Sequence, residues 1–260
     1  MKLLEGKKIL ITGILNERSI ALGIAKSMYE HNAELIYVCQ NKKIANRVQK
    51  LIKSINNNPI FLCDVSCDKN IKNFFLKLKK IWKKFDGFVH SIAFCPKKQM
   101  QEDFIKSSTR ESFIKCHEIS SYSFLSMARE SQKMLNNFSS LVTLSYLGAQ
   151  KAITNYNIMG LAKASLESNV RYMASILGKK NIRVNAISPG PIKTISSRQI
   201  KDFCRTKIYH KFSSCTNSHI TSKEVGNVAS FLCSNLSIGI TGSIIYVDHG
   251  VNIKGVNTMF

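Results

Sequence analysis

The chain has 260 residues, 44% of them apolar, with 38 Lys and Arg against 16 Asp and Glu for a formal net charge of +22. Such an apolar share excludes a disordered chain, and with only four prolines and no Pro/Gly/Ser-rich linker the length suits a single domain over residues 1–260. The charge invites an acidic partner, but the lysines are spread along the whole chain, and the basic clusters interleaved with exposed aromatics that a nucleic-acid surface needs are missing, so no nucleic acid is expected. The eight cysteines form no Cys-x-x-Cys pair and the six histidines no His-Glu-x-x-His spacing. No metal site is expected, and the free thiols suit a reducing, cytoplasmic setting.

In chain order, Lys8–Thr12 (KILIT) is the first predicted strand, closed by Gly13. This apolar run is too short for a signal segment or a membrane span, so no membrane is expected. A helical stretch covers about Ser19 to His31. Glu34–Cys39 and Ile60–Cys63 read as the second and third strands, the latter followed by Asp64. Phe74, Leu78, Ile81 and Phe85, with Phe75 and Trp82 beside them, read as the core stripe of a helix, and Lys77, Lys79, Lys80, Lys83 and Lys84 as its solvated face. Phe88–Ala93, Leu141–Ser145, Arg183–Ser188 and Ser243–Asp248 complete seven strands. Strands alternating with helices predict parallel crossovers: an α/β, doubly wound parallel seven-stranded sheet with helices on both faces. Ligands of such sheets bind beyond the carboxyl ends of the strands, where residues 13, 40, 64, 92 and 146 fall.

Thr12-Gly13-x5-Ser19-Ile20-Ala21-x-Gly23 leads from a strand into a helix. A dinucleotide site needs a glycine where the backbone turns close to a pyrophosphate, then a helix N-terminus to hold the anion. The loop is longer than the G-x-G-x-x-G fingerprint, and Ser19 stands where a middle glycine might, so alone it is weak. Gln40 ends the second strand where such folds place a ribose ligand, and Asp64 closes the third, near an adenine. Read blandly, both are polar loop starters, but their common register at strand ends favours a Rossmann-type nucleotide site.

Tyr156 and Lys163 are seven residues apart. On one helix that is two turns, about 10.5 Å along the axis and ~20° from the same face. Lys can then face a cofactor's ribose and Tyr the reacting carbon, and a nearby ammonium is expected to make the phenol more acidic. The bland reading, a surface Lys and a half-buried Tyr, leaves Tyr146 at a strand end unexplained.

With Ser145-Tyr146-Leu147-Gly148-Ala149, Asn155-Tyr156-Asn157, Met159-Gly160-Leu161-Ala162-Lys163, Arg183-Val184-Asn185-Ala186 and Gly190-Pro191-Ile192, the whole chain resembles the short-chain dehydrogenase/reductase superfamily. Specifically, it resembles the divergent branch of NADH-dependent enoyl-acyl-carrier-protein reductases. Ordinary members carry Ser and Tyr-x3-Lys. Here Met159 precedes Gly160 where a ketoacyl reductase would need its Tyr, and the pattern is Tyr…Tyr-x6-Lys.

The resemblance implies NADH-dependent reduction of the trans-2 double bond of enoyl-acyl carrier protein, the last reductive step of fatty acid elongation. It implies Tyr146, Tyr156 and Lys163 as catalytic. Gly13, Ser19, Ile20, Gln40, Asp64, Val65, Ile92, Lys163, Ile192, Lys193, Thr194, Ile195 and Ser196 would line the cofactor, and Cys95 the substrate. It further implies a substrate-binding loop at about 193–212, an acyl carrier protein partner and a homotetramer. NADH rather than NADPH is expected because neither position 40 nor 41 is an Arg that could take a 2′-phosphate. Three places depart from the family: Ala93 and His249 stand where Gly is usual, and Cys215-Thr216-Asn217-Ser218 stands for a Pro-Ile-Arg-Arg-like segment. If position 249 needs a left-handed backbone, His tolerates it less well.

Overall fold

The computed structural model describes residues 2–56 and 58–255. Its elements run β1 (Lys8–Thr12), α1 (Ile20–Glu30), β2 (Glu34–Cys39), α2 (Lys42–Ile52), β3 (Ile60–Leu62), α3 (Asp68–Leu78) and β4 (Phe85–His90). The short α4 (Phe104–Ser107) follows, then α5 (Arg110–His117) and α6 (Ser123–Ser131), joined by a π turn over Glu118–Tyr122. The second half is β5 (Leu135–Leu144), α7 (Asn157–Leu177), β6 (Arg183–Pro189), α8 (Phe203–Ser213), α9 (Ser222–Cys233) and β7 (Ile244–Val247). The seven strands form one sheet in the order β3-β2-β1-β4-β5-β6-β7, every neighbouring pair parallel.

Alternation along the strands separates two cores, as a period of two requires. Ile9 and Ile11 of β1 and Leu35 of β2 pack with Ala21, Leu22 and Ile24 of α1, Val48 of α2 and Val225 of α9. Leu10 and Ile36 face the other way, onto Ile71 and Phe74 of α3, Phe124 of α6 and Leu166 and Val170 of α7. The chain therefore leaves β1 over one face and β4 over the other. Between these strands lies the point where the winding reverses, and a crevice opens above their carboxyl ends.

Helix α1 is held at close range. A Cβ on Gly226 of α9 would lie 2.7 Å from the carbonyl oxygen of Gly23. Ser27 of α1 hydrogen-bonds Asn227 and Ser230 of α9, each at 3.0 Å. Small residues thus let two helix backbones touch, and this seats the N-terminus of α1 over the crevice. Among the described residues no helix is long and apolar enough to cross a membrane.

Some boundaries differ from the sequence reading. The fourth strand is Phe85–His90, three residues earlier than Phe88–Ala93, and the fifth begins at Leu135 rather than Leu141. Helix α3 ends at Leu78, so Phe85 is core through its strand and Ile81 is 53% exposed, while Ile71 joins Phe74 and Leu78 inside. Periodicity alone carried the stripe one turn too far, because Trp82 and Phe85 are buried by a strand that follows closely. The five lysines from Lys77 to Lys84 are exposed, as expected. The segment read as a loop at 193–212 folds largely as a turn at Ser197–Gln199 and helix α8.

Candidate active site

A cavity of about 600 Å³ opens over the carboxyl ends of the strands. At its floor Gly13 has φ +87, and a Cβ there would collide with the carbonyl oxygen of Ser91. The Thr12 hydroxyl ties the same two strands, donating to Val89 O at 3.0 Å and accepting from Ser91 N–H at 3.1 Å. Ser19 ends the loop that follows. Its Oγ accepts from the N–H groups of Leu15 (2.9 Å) and Asn16 (3.1 Å) and makes no bond to the first turn of α1. That turn contains no acidic residue. Leu22 N–H donates to Ser19 O at 3.0 Å, which leaves the N–H groups of Ile20 and Ala21 uncapped at the end of the helix where Ser19 and Ile20 line the cavity, an arrangement that suits a pyrophosphate.

At the far end of this half, Gln40 donates to Asp64 at 3.3 Å, and Ser66 donates to Asp64 through its N–H (3.0 Å) and hydroxyl (2.8 Å). Partial burial opposes ionisation of Asp64. The bonds from Ser66 and Gln40 and the Lys115 charge outweigh it and hold the carboxyl below its ordinary value. An anionic acceptor at a strand end suits an adenine or ribose edge, so the donor set of this half fits a dinucleotide.

In the other half, Tyr146 follows β5, and Tyr156 caps α7 with helical backbone angles. Their rings meet edge to face, with centroids 4.8 Å apart. Lys163, two turns on, is 6% exposed and donates to the carbonyl of Leu144 at 2.6 Å. Burial pulls the Lys163 ammonium down to about 8, against the upward pull of Cys116 and Glu167. Burial, with smaller contributions from Tyr146, Cys116 and Cys95, pushes the Tyr156 phenol well above its ordinary value. The expected acidification of Tyr156 by Lys163 is therefore not found: dehydration of a buried phenolate dominates, and the neighbouring charges that act on the phenol all raise it further. Burial also raises Tyr146, to about 12. Tyr156 is thus a neutral O–H donor.

The lining contains Gly13, Ser19, Ile20, Gln40, Asp64, Val65, Ile92, Cys95, Tyr146, Tyr156, Lys163, Ile192, Thr194, Ile195 and Ser196. Lys193 is exposed and outside it. Sequence reasoning missed the apolar wall of Phe94, Met100, Ile153, Met159, Ile200 and Phe203. Met159 was within reach of it, lying three residues after Tyr156 and four before Lys163 on the same helix face. Ala93 also lines the cavity, and His249 does adopt a left-handed φ of 54°.

Beneath Lys163, His90 is fully buried, with Nε2 2.7 Å from Ser123 Oγ and Nδ1 3.1 Å from Thr143 Oγ1. The Ser123 hydroxyl donates to Ile119 O at 2.7 Å, so His90 Nε2–H donates to Ser123, while the single Thr143 hydroxyl proton is shared between His90 Nδ1 and the His90 carbonyl oxygen, each 3.1 Å away. Burial first, then the Lys163 charge, pulls this imidazole down to about 3. The unfolded chain binds a proton at His90 below about 6.5 and the folded chain does not, so stability falls as pH drops through that window. From pH 7 to pH 5, wild type should lose about 2 kcal/mol more unfolding free energy than His90→Gln. Urea titrations at the two pH values test this; equal losses would show that His90 is not held neutral.

The profile of the family described as Enoyl-(Acyl carrier protein) reductase matches residues 13–252. The enoyl-acyl-carrier-protein reductase (NADH) of Buchnera aphidicola subsp. Schizaphis graminum is 70% identical over 259 residues, covering 100% of both chains. The crystal structure of the enoyl-acyl-carrier-protein reductase (NADH) of Aquifex aeolicus superposes with a TM-score of 0.94 at 41% identity, covering 98% of this chain and 100% of that one. That of the Anaplasma phagocytophilum reductase, in complex with NAD, gives 0.92 at 36% identity, covering 98% and 95%. Similarity of this extent spans both halves of the cavity, and the chain belongs to the enoyl-acyl-carrier-protein reductase family.

Proposed function

We propose that this chain reduces the trans-2 double bond of an enoyl thioester carried on acyl carrier protein, with NADH as reductant, the closing reduction of each round of fatty acid elongation. The observation that carries this reading is one cavity joining a dinucleotide-shaped crevice to an apolar wall, with Tyr156 and Lys163 at the junction. The cofactor supplies hydride to the β-carbon of the substrate.

The chain's own residues bind, orient and stabilise. Gly13 and the uncapped turn after Ser19 and Ile20 receive the pyrophosphate, while Gln40, Asp64 and Val65 receive the adenosine end. Ile92, Ile192 and Thr194–Ser196 would flank the nicotinamide end. Lys163, held by Leu144 O, donates to the ribose hydroxyls and fixes orientation, a positioning role. Negative charge develops on the thioester oxygen as hydride arrives. The neutral Tyr156 O–H donates to that oxygen, and its high pKa keeps the proton in place as a hydrogen bond, so the enolate completes the reduction by taking a proton from solvent at the α-carbon. Tyr146 packs its ring against Tyr156 and shapes the thioester site, with Cys95 beside the substrate. The wall of Met100, Met159, Ile200 and Phe203 takes the acyl chain, a dry surface that strengthens the Tyr156 bond. A ketoacyl reductase would need a Tyr at position 159, where Met159 stands.

The Lys163 ammonium keeps its proton below about pH 8 and loses it above, so kcat/KM for crotonyl thioester with NADH should fall as pH rises past about 8. Lys163→Ala should weaken NADH binding about tenfold or more by calorimetry, with the fold retained. Unchanged affinity would remove the ribose role, and no crotonyl reduction by wild type would remove the function.

The carrier is acidic, and Lys201, Arg205 and Lys207 lie at the mouth beside the lining residues Phe203 and Thr206, in no ion pair among the described residues. Steering by this trio should make kcat/KM for the carrier-bound substrate fall steeply between roughly 50 and 300 mM salt, as the Debye length shrinks from about 14 Å to under 6 Å. A pantetheine mimic should change much less; parallel salt dependence would mean that the charge is merely compositional.

The proposed assembly is a homotetramer working in the cytoplasm. Its support is the exposed apolar surface of α5–α7, including Phe113, Ile114, Leu125, Tyr172 and Ile176, and eight cysteines all free. Sedimentation at micromolar concentration should give four times the 29.3 kDa chain mass; a monomer would contradict it.

A further inference from the structure

Tyr156 sits between two asparagines with left-handed backbone, φ 64 at Asn155 and 45 at Asn157. Neither asparagine lines the cavity. Each instead reaches one of the two segments that wall its apolar half. Asn157 Nδ2 donates to the carbonyls of Gln99 (2.8 Å) and Glu102 (3.1 Å), which bracket the lining residue Met100. Asn155 Nδ2 donates to the carbonyl of Lys201 at 3.1 Å, beside the lining residues Gln199, Ile200 and Phe203. The two segments also hold each other. Lys201 N–H donates to Met100 O at 2.9 Å, and Gln101 Nε2 donates to Gln199 O at 3.4 Å. The bonds close a ring: Tyr156, Asn157, the 99–102 segment, the 199–201 segment, Asn155, and back to Tyr156.

Two separate demands meet at each asparagine. The backbone needs left-handed φ, which glycine and asparagine adopt most readily. The wall carbonyls need an N–H donor, which glycine lacks and which aspartate replaces with an acceptor facing other acceptors. Asparagine meets both.

We propose that Asn155 and Asn157 are positioning residues that tie the seat of Tyr156 to both walls of the acyl half, so that the acyl chain's wall and the hydrogen-bond donor for its thioester are set by one hydrogen-bonded ring. This rests on the reading of Tyr156 as that donor. The cofactor half lies outside the ring, so the ring governs catalysis and acyl binding while leaving NADH binding alone.

The test uses the full chain with crotonyl thioester and NADH. Asn157→Gly keeps the backbone geometry and removes the donor; Asn157→Asp keeps the shape and reverses the polarity. Both should lower kcat about tenfold and raise KM for the enoyl thioester severalfold, with the NADH dissociation constant within about twofold of wild type. Asn155→Gly should act in the same direction and more weakly, having one acceptor instead of two. Wild-type kcat and KM in Asn157→Gly would overturn the proposal and leave only a backbone preference. Loss of NADH affinity in step with kcat would also overturn it, as general damage. Tyr156→Phe, run alongside, separates the two levels. Impaired Tyr156→Phe with wild-type Asn157→Gly refutes the ring alone, and wild-type turnover in Tyr156→Phe removes the reading beneath it.

Discussion

Strands β1 and β4 lie side by side, and the chain leaves them over opposite faces of the sheet. At that divide Gly13 lies against the carbonyl of Ser91, and the Thr12 hydroxyl spans from Val89 O to Ser91 N–H. Any side chain at position 13 would push the strand ends apart. The crevice, the free N-terminal turn of α1 and the distance from nucleotide half to acyl half all follow from this contact. The packing of α1 on α9 through Gly23 and Gly226 serves the same end, since it fixes where that turn points.

Electrostatics within the site is governed by dehydration more than by charge pairing. Lys163 is a buried cation satisfied by one backbone carbonyl, with the buried Glu167 one helical turn further on. Glu167 is occupied by Ser145 at 2.6 Å and Gln150 at 3.3 Å. His90 stays neutral below Lys163 because both its nitrogens are matched by hydroxyls and a second cation there would be unsupported. The same dehydration raises both tyrosines, so the site holds neutral donors beside one poised ammonium. Hydrogen bonds of this kind gain strength in a water-poor cavity.

The two halves of the cavity are built differently. The half lined by Gly13, Ser19, Gln40 and Asp64 is made of strand ends and a helix N-terminus, where backbone fixes the polar groups. The acyl half is made of side chains from segments that meet only in three dimensions: 94–100, 153–159 and 199–206. Such a wall needs ties to keep its shape, and the hydrogen bonds around Asn155 and Asn157 are the ties nearest to Tyr156.

What the sequence determined by itself is what short-range rules govern. Lys8–Thr12 and Glu34–Cys39 were read to the residue, because apolar runs bounded by turn residues mark buried parallel strands. The order of strands and helices implied the doubly wound sheet, and hence that Gly13, Gln40, Asp64, Ile92 and Tyr146 share one edge. The spacing of Tyr156 and Lys163 placed them on one face. What only the tertiary structure decided depends on burial and on contacts between distant segments. The stripe from Phe74 ran past the true end of α3, since a buried Phe85 looks the same in helix or strand until the sheet is assembled. Lys193 faces away from the cavity that its neighbours line, and residues 203–213 are helix rather than loop. Tyr156 is held protonated by dehydration that no spacing records. The apolar wall and the asparagine ring join residues about 50 to 100 positions apart, and only the packing of the whole chain brings such residues within a hydrogen bond's reach.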